Sequence, residues 1–161
     1  LLIGCSSISD KQMNMYYDLF NLLNDSEDYV NTSVNFSSSF VISENEDGYS
    51  FYIIIDKPIN SMYDIKIMAI EDGADYSDEF ISNIGVFEEN SYNLVPNQVN
   101  VDSGYVKGLS ISGNCTSTSS VIKCVVQWKD KNKTDTFREF LVFNGSNNST
   151  TNDTNISENN G

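Results

Sequence analysis

From Asn31 to Phe143 the chain alternates short apolar runs with clusters of Asn, Asp, Ser and Gly, at intervals of roughly 8–12 residues. That rhythm leaves no room for long helices and confines the stretch to many short strands. "SSFVISENEDGYSFYIIID" reads as a hairpin turned at Asn45 to Gly48. "FYIIID" is apolar on both faces, which predicts a central strand, and Pro58 with "INSM" ends it. "YDIKIMAIED" alternates, with Ile65, Ile67 and Ala69 on one face and Asp64 and Lys66 on the other. "SNIGVFEEN" has room for one short strand, and "NLVPNQVN" reads as an edge strand broken at Pro96. "VIKCVVQWKD" and "DTFREFLVF" pair around "KDKNKTD". The total is about seven or eight strands, and their spacing predicts a mainly β fold, an antiparallel β-sandwich.

A helical pattern precedes the strands. In "SISDKQMNMYYDLFNLLNDSED", Ser9 can cap a helix and Gln12 completes a capping box. Met13, Tyr16, Tyr17, Phe20 and Leu23 recur at helical spacing, and "NDSED" ends the run. This predicts an amphipathic helix over 9–27 packed on a sandwich domain over 28–143. Residues 144–161 contain one aliphatic side chain, Ile156, among eighteen residues. They cannot bury a core and are expected to form a disordered tail or a linker.

The three cysteines divide into one and two. A two-residue turn at Ser119 and Ser120 would place Cys115 opposite Cys124 in a non-hydrogen-bonded pair, where side chains approach most closely. A four-residue loop would keep them opposite in a hydrogen-bonded pair. The parity agrees with either: Leu109, Ile111, Gly113 and Cys115 share one face, as do Ile122, Cys124, Val126 and Trp128. A Cys115–Cys124 disulfide within a hairpin is the expectation. Trp128 on the strand that bears Cys124 resembles immunoglobulin-like cores, which implies an immunoglobulin-like architecture for the sandwich. Those cores join two sheets by a disulfide, whereas this bond would join neighbours, so the topology is left open.

The remaining cysteine ends the run Leu2, Ile3, Gly4, Cys5, which resembles the lipobox of bacterial lipoproteins. The resemblance implies that Cys5 carries a diacylglycerol, that cleavage precedes it, and that residues 1–8 comprise a signal-peptide remnant, the lipidated residue and a short polar tether. A leader with a charged and an apolar region would then continue upstream. As a whole the chain is similar to surface lipoproteins of low-GC Gram-positive bacteria. That likeness implies an extracytoplasmic domain, lipid-anchored to the cell membrane.

The formal net charge is -14, with 23 acidic against 9 basic residues. Such a surface repels phosphate backbones, so no nucleic acid partner is expected. There is no histidine, which removes the commonest general base and every Ser-His or Cys-His pair. The function expected is therefore non-enzymatic and without a cofactor: protein interaction or structure at the cell surface, with a neighbouring membrane protein as partner. The alternative is a glycan- or calcium-binding module. For calcium, which takes roughly six to eight oxygens, the acidic stretch "EDGADYSDEF" offers Glu71 and then Asp72, Asp75, Asp78 and Glu79. No EF-hand register fits, because aligning Gly48 as the loop glycine puts Ile54 at the final ligand position. For a short glycan or a protein partner, Tyr49, Tyr52, Tyr92 and Tyr105 lie near strand ends or loops.

Overall fold

The computed structural model describes residues 7–76 and 80–147. Helix α1 spans Asp10–Asp25. It starts where the capping box places it: the Gln12 N–H donates to Ser9 Oγ at 3.2 Å, and the Ser9 N–H donates to Gln12 Oε1 at 2.9 Å. The buried stripe differs from the predicted one. Tyr16, Leu19 and Leu23 point inward, whereas Tyr17 is 54% exposed. Consecutive helical residues diverge by about 100°, so a stripe aligned on 16, 19 and 23 turns position 17 toward water.

Among the described residues there are seven strands: β1 Ser37–Asn45, β2 Gly48–Asp56, β3 Tyr63–Glu71, β4 Asn83–Ile84, β5 Gly108–Cys115, β6 Val121–Lys129 and β7 Thr136–Asn144. They form two antiparallel sheets, ordered β1-β2-β5 and β4-β3-β6-β7. Asn45 faces Gly48 across the first hairpin, and Thr136 faces Lys129 across the last. "NLVPNQVN" forms isolated bridges, such as Met62 with Leu94, rather than a strand, and a 3-10 turn follows at Val101–Ser103. The free edge of β7 is partly covered. Val30 lies parallel to it, its N–H donating to the Phe140 carbonyl at 2.9 Å and its carbonyl accepting from the Val142 N–H at 3.0 Å. A short 3-10 turn, Gly145–Asn147, follows β7. Most of the predicted disordered tail lies outside the described residues.

The two sheets enclose the main core. Phe51, Ile53 and Ile55 from β2 and Leu109 and Ile111 from β5 meet Ile65, Ile67, Ile122, Cys124, Val126 and Leu141. A second core lies on the other side of the four-stranded sheet, where Met68, Ile70 and Val125 pack under Tyr16, Leu19 and Leu23 of α1. Each fully buried leucine there is worth roughly 1.5–3 kcal/mol relative to exposure. The described residues thus form three layers: helix, four strands, three strands. Strand β2 is central in its sheet as expected, but Tyr52 and Ile54 on its outer face are exposed, because nothing among the described residues covers that face. Gly113 faces inward on β5. A Cβ there would stand 2.7 Å from the Phe51 ring, so the glycine makes room for the phenyl group.

The expected cysteine hairpin is not formed. β5 pairs with β2, and β6 pairs with β3 and β7, so the two strands lie in opposite sheets. Cys115 and Cys124 are free thiols. The reason is that residues 116–120 arch from one sheet to the other instead of reversing within one. The parity used to infer the hairpin is real, because both sets of residues face the core, but they face it from opposite sides.

Asp64 fastens the start of β3. The β3–β6 register shifts between Tyr63 and Lys66, and Asp64 takes up the irregularity with φ 49°. Its N–H donates to Asn93 Oδ1 at 3.0 Å, and its carboxylate pairs with Lys66 at 2.9 Å and Lys129 at 3.4 Å. Burial alone would raise its pKa, but the bonds and charges of the two lysines outweigh it and hold the carboxyl below its ordinary value. A depressed folded pKa means that the stabilisation is complete above the unfolded pKa and is lost as pH falls through the folded one. Asp64→Asn, which tolerates the same backbone, is therefore expected to lower stability at neutral pH and to flatten its acid dependence in urea melts.

Candidate functional site

The acidic stretch after β3 folds back on the protein. Glu71 is 7% exposed. Its Oε1 accepts from the Thr116 N–H at 3.2 Å, from Ser120 Oγ at 2.6 Å and from the Thr116 hydroxyl. The Tyr76 hydroxyl meets the backbone N–H of Glu71. Asp72 pairs with Lys123 at 2.9 Å, and the same ammonium lies 5.3 Å from the centre of the Tyr29 ring. Asp75 is exposed, and Asp78 and Glu79 lie outside the described residues. Among the described residues no three acidic or thiol side chains gather as a metal site would require. Glu71 and Asp72 are engaged in holding the arch and the end of the sheet. Burial and the Glu71 charge push the Cys115 thiol up, and burial pushes Cys124 up to about 12. Both stay protonated at neutral pH, which suits inert packing rather than nucleophilic attack.

The four tyrosines do not converge. Tyr52 is exposed on the outer face of the three-stranded sheet, between Val41 and Ser112. Tyr49 is half-buried opposite Cys115. Tyr92 packs onto the main core. Tyr105 sits edge-on to Tyr63 at 6.5 Å. Cys5, the expected lipidation site, lies outside the described residues.

Two aromatic features were not anticipated. The first surrounds Tyr16, which stacks on Phe87 at 5.5 Å and meets Tyr17 and Phe80 edge-on at 5.5 and 5.2 Å. Phe80 is 59% exposed, so with Tyr17 it forms an apolar surface on a buried base. The base is fixed by two bonds from α1 to the segment after β3: the Tyr16 hydroxyl accepts from the Ile81 N–H at 2.8 Å, and Gln12 Nε2 donates to the Phe87 carbonyl at 2.9 Å. Gly85 lets this segment approach β3, since a Cβ there would stand 2.2 Å from the Ile65 carbonyl oxygen.

The second feature is a cleft of about 410 Å³ at one end of the sandwich. Trp128 and Phe137 face each other across β6 and β7, stacked at 5.8 Å, and Asn35, Asn60, Ser61, Met62, Asp130 and Lys131 complete the wall. The available signal was Phe137 itself, an inward position at a strand end beside the chain's single tryptophan. No family model, curated protein or solved structure matches the chain.

The arch makes a direct prediction. Glu71→Ala strands the donors of Thr116 and Ser120 and is expected to lower stability by about 2–3 kcal/mol in chemical denaturation. Glu71→Gln keeps Oε1 as an acceptor and is expected to lose less.

Proposed function

We propose that the chain is a non-enzymatic extracytoplasmic domain, lipid-anchored through Cys5, that docks a neighbouring membrane protein. The observation that carries the docking is the surface formed by Tyr17 and Phe80. Two rings more than half exposed, on a base already ordered by Tyr16, Phe87, Gln12 and Ile81, present apolar area at little further cost in side-chain entropy. Asp18 is exposed beside Tyr17, and Asp78 and Glu79 precede Phe80 in the sequence. With a net charge of -14, the surface favours a partner with an apolar centre and a basic rim.

The likeness of residues 2–5 to a lipobox supports the anchor. Ser9 lies four residues after Cys5. At roughly 3.3–3.6 Å per extended residue the tether reaches about 14 Å, which holds α1 and its aromatic surface close to the bilayer. Among the described residues no helix is long and apolar enough to cross a membrane.

An immunoglobulin-like topology belongs to the same reading. Lettered A, B, C, C′, E, F and G in chain order, the strands give sheets A-B-E and C′-C-F-G, which supports it. Trp128 lies on the sixth strand rather than the third, so the tryptophan pin of antibody domains is not reproduced.

Two experiments test the proposal. Expressed with a complete leader, the parent should incorporate labelled palmitate and Cys5→Ala should not; equal labelling would remove the anchor. Cross-linking in intact cells should trap a membrane protein on the parent. A Tyr17→Ser, Phe80→Ser double variant, altered only at exposed rings, should fold and lose that adduct. An unchanged adduct would exclude this surface as the contact.

A further inference from the structure

We infer that the open end of the sandwich beside Trp128 is a binding subsite for a neutral pyranose residue of a glycan. The inner row of β7 shows why the end is open. Phe143 and Leu141 are sealed in the core, but the row continues through Glu139 to Phe137, which faces inward by parity and is nevertheless 45% exposed. Phe36 closes on Trp128 edge-on at 6.0 Å and Phe137 stacks against it at 5.8 Å, leaving the indole only 8% exposed. Phe137 is therefore the ring that the cleft offers to a ligand, supported from behind by a rigid aromatic stack.

The polar groups around it are held in place by the protein. Glu139 Oε2 accepts from Ser33 Oγ at 2.8 Å and from Asn35 Nδ2 at 3.0 Å, which fixes the plane of the Asn35 amide. One N–H is used, and the amide has a second N–H and a carbonyl to offer. Asp130 Oδ1 accepts from the backbone N–H groups of Thr134 and Asp135 at 3.0 and 3.3 Å, so its carboxylate does not swing. Asn60 and Ser61 approach from the segment between β2 and β3.

This combination selects a chemistry. Asp130 and Lys131 in the wall balance one another, and Glu139 stands just behind Asn35, so an anionic ligand gains nothing. An apolar ligand would strip water from the amides and the carboxylate without replacing their bonds. A pyranose has a C–H face for the phenyl ring and hydroxyls that both donate and accept, and a cleft of about 410 Å³ accommodates a small sugar.

Trp128 is the only tryptophan, so emission excited beyond the tyrosine absorption band reports on this cleft and not on the nine tyrosines. The folded chain is to be titrated to millimolar concentration with four neutral sugars: maltotetraose, cellotetraose, mannotetraose and fully N-acetylated chitotetraose. A saturable spectral change is expected with at least one of them. Phe137→Ala should weaken that binding about tenfold, the loss of one packed aromatic contact. Asn60→Ala, at an exposed position outside the strands, should weaken it without altering the melting temperature, and it decides the matter if Phe137→Ala does not fold. Absence of a saturable change with all four sugars overturns the proposal, as does unaltered binding in both variants. The Tyr17→Ser, Phe80→Ser variant should titrate like the parent, so this site stands or falls separately from the docking surface.

Discussion

Strands β3 and β6 carry apolar side chains on both faces, and neither face can be left to water. Ile65, Ile67 and Ala69 with Ile122, Cys124 and Val126 demand a cover on one side, while Met68, Ile70 and Val125 demand one on the other. The three-stranded sheet meets the first demand and α1 the second. The order of layers follows from this double burial: a helix at the start of the chain must lie outside the four-stranded sheet, and β1 and β2 must pass to its far side. The outer face of β2 shows the contrast. Val41, Tyr52 and Ile54 stand in the open there, with Ser39, Ser110 and Ser112 around them, and no further layer is present among the described residues.

The polar interaction that accompanies this arrangement is the Glu71 carboxylate under the arch. A buried carboxylate is costly unless it is hydrogen-bonded, and three donors from Thr116 and Ser120 converge on its Oε1. Around it the Asp72 N–H donates to the Val121 carbonyl at 2.8 Å, and the Gly145 N–H to the Ser120 carbonyl at 2.9 Å. The crossing between sheets is thereby tied to the ends of β3 and β7. Its donors are short Ser and Thr side chains, the residues that also populate hairpin turns, so local composition could not separate an arch from a reversal.

Much of the fold was legible because its signals are local. The capping box at Ser9 and Gln12, the turn at Asn45 to Gly48, and the alternation of Ile65, Ile67 and Ala69 each depend on residues close in sequence. Parity was legible too, but it states only which side chains look inward. Leu109 to Cys115 and Ile122 to Trp128 satisfy it equally as neighbours in one sheet and as partners across the core, and the choice rests on a contact with Glu71, 45 residues before Thr116. The candidate sites failed to show for the same reason. Tyr17 looked like part of the buried stripe until Leu19 fixed the rotation of α1, and the Trp128 cleft draws Asn35, Asn60 and Asp130 from three separate connections.

The parallel pairing of Val30 with β7 has a mechanical consequence. Its two hydrogen bonds, to Phe140 and Val142, join the segment that follows α1 to the last strand of the sandwich. Because the two segments run in the same direction, tension applied toward residue 28 at one end and beyond residue 144 at the other slides them past each other. Both bonds are then strained together, instead of opening in turn as in a peeled hairpin. A domain pulled between its two ends would meet this clamp before its sheets could separate.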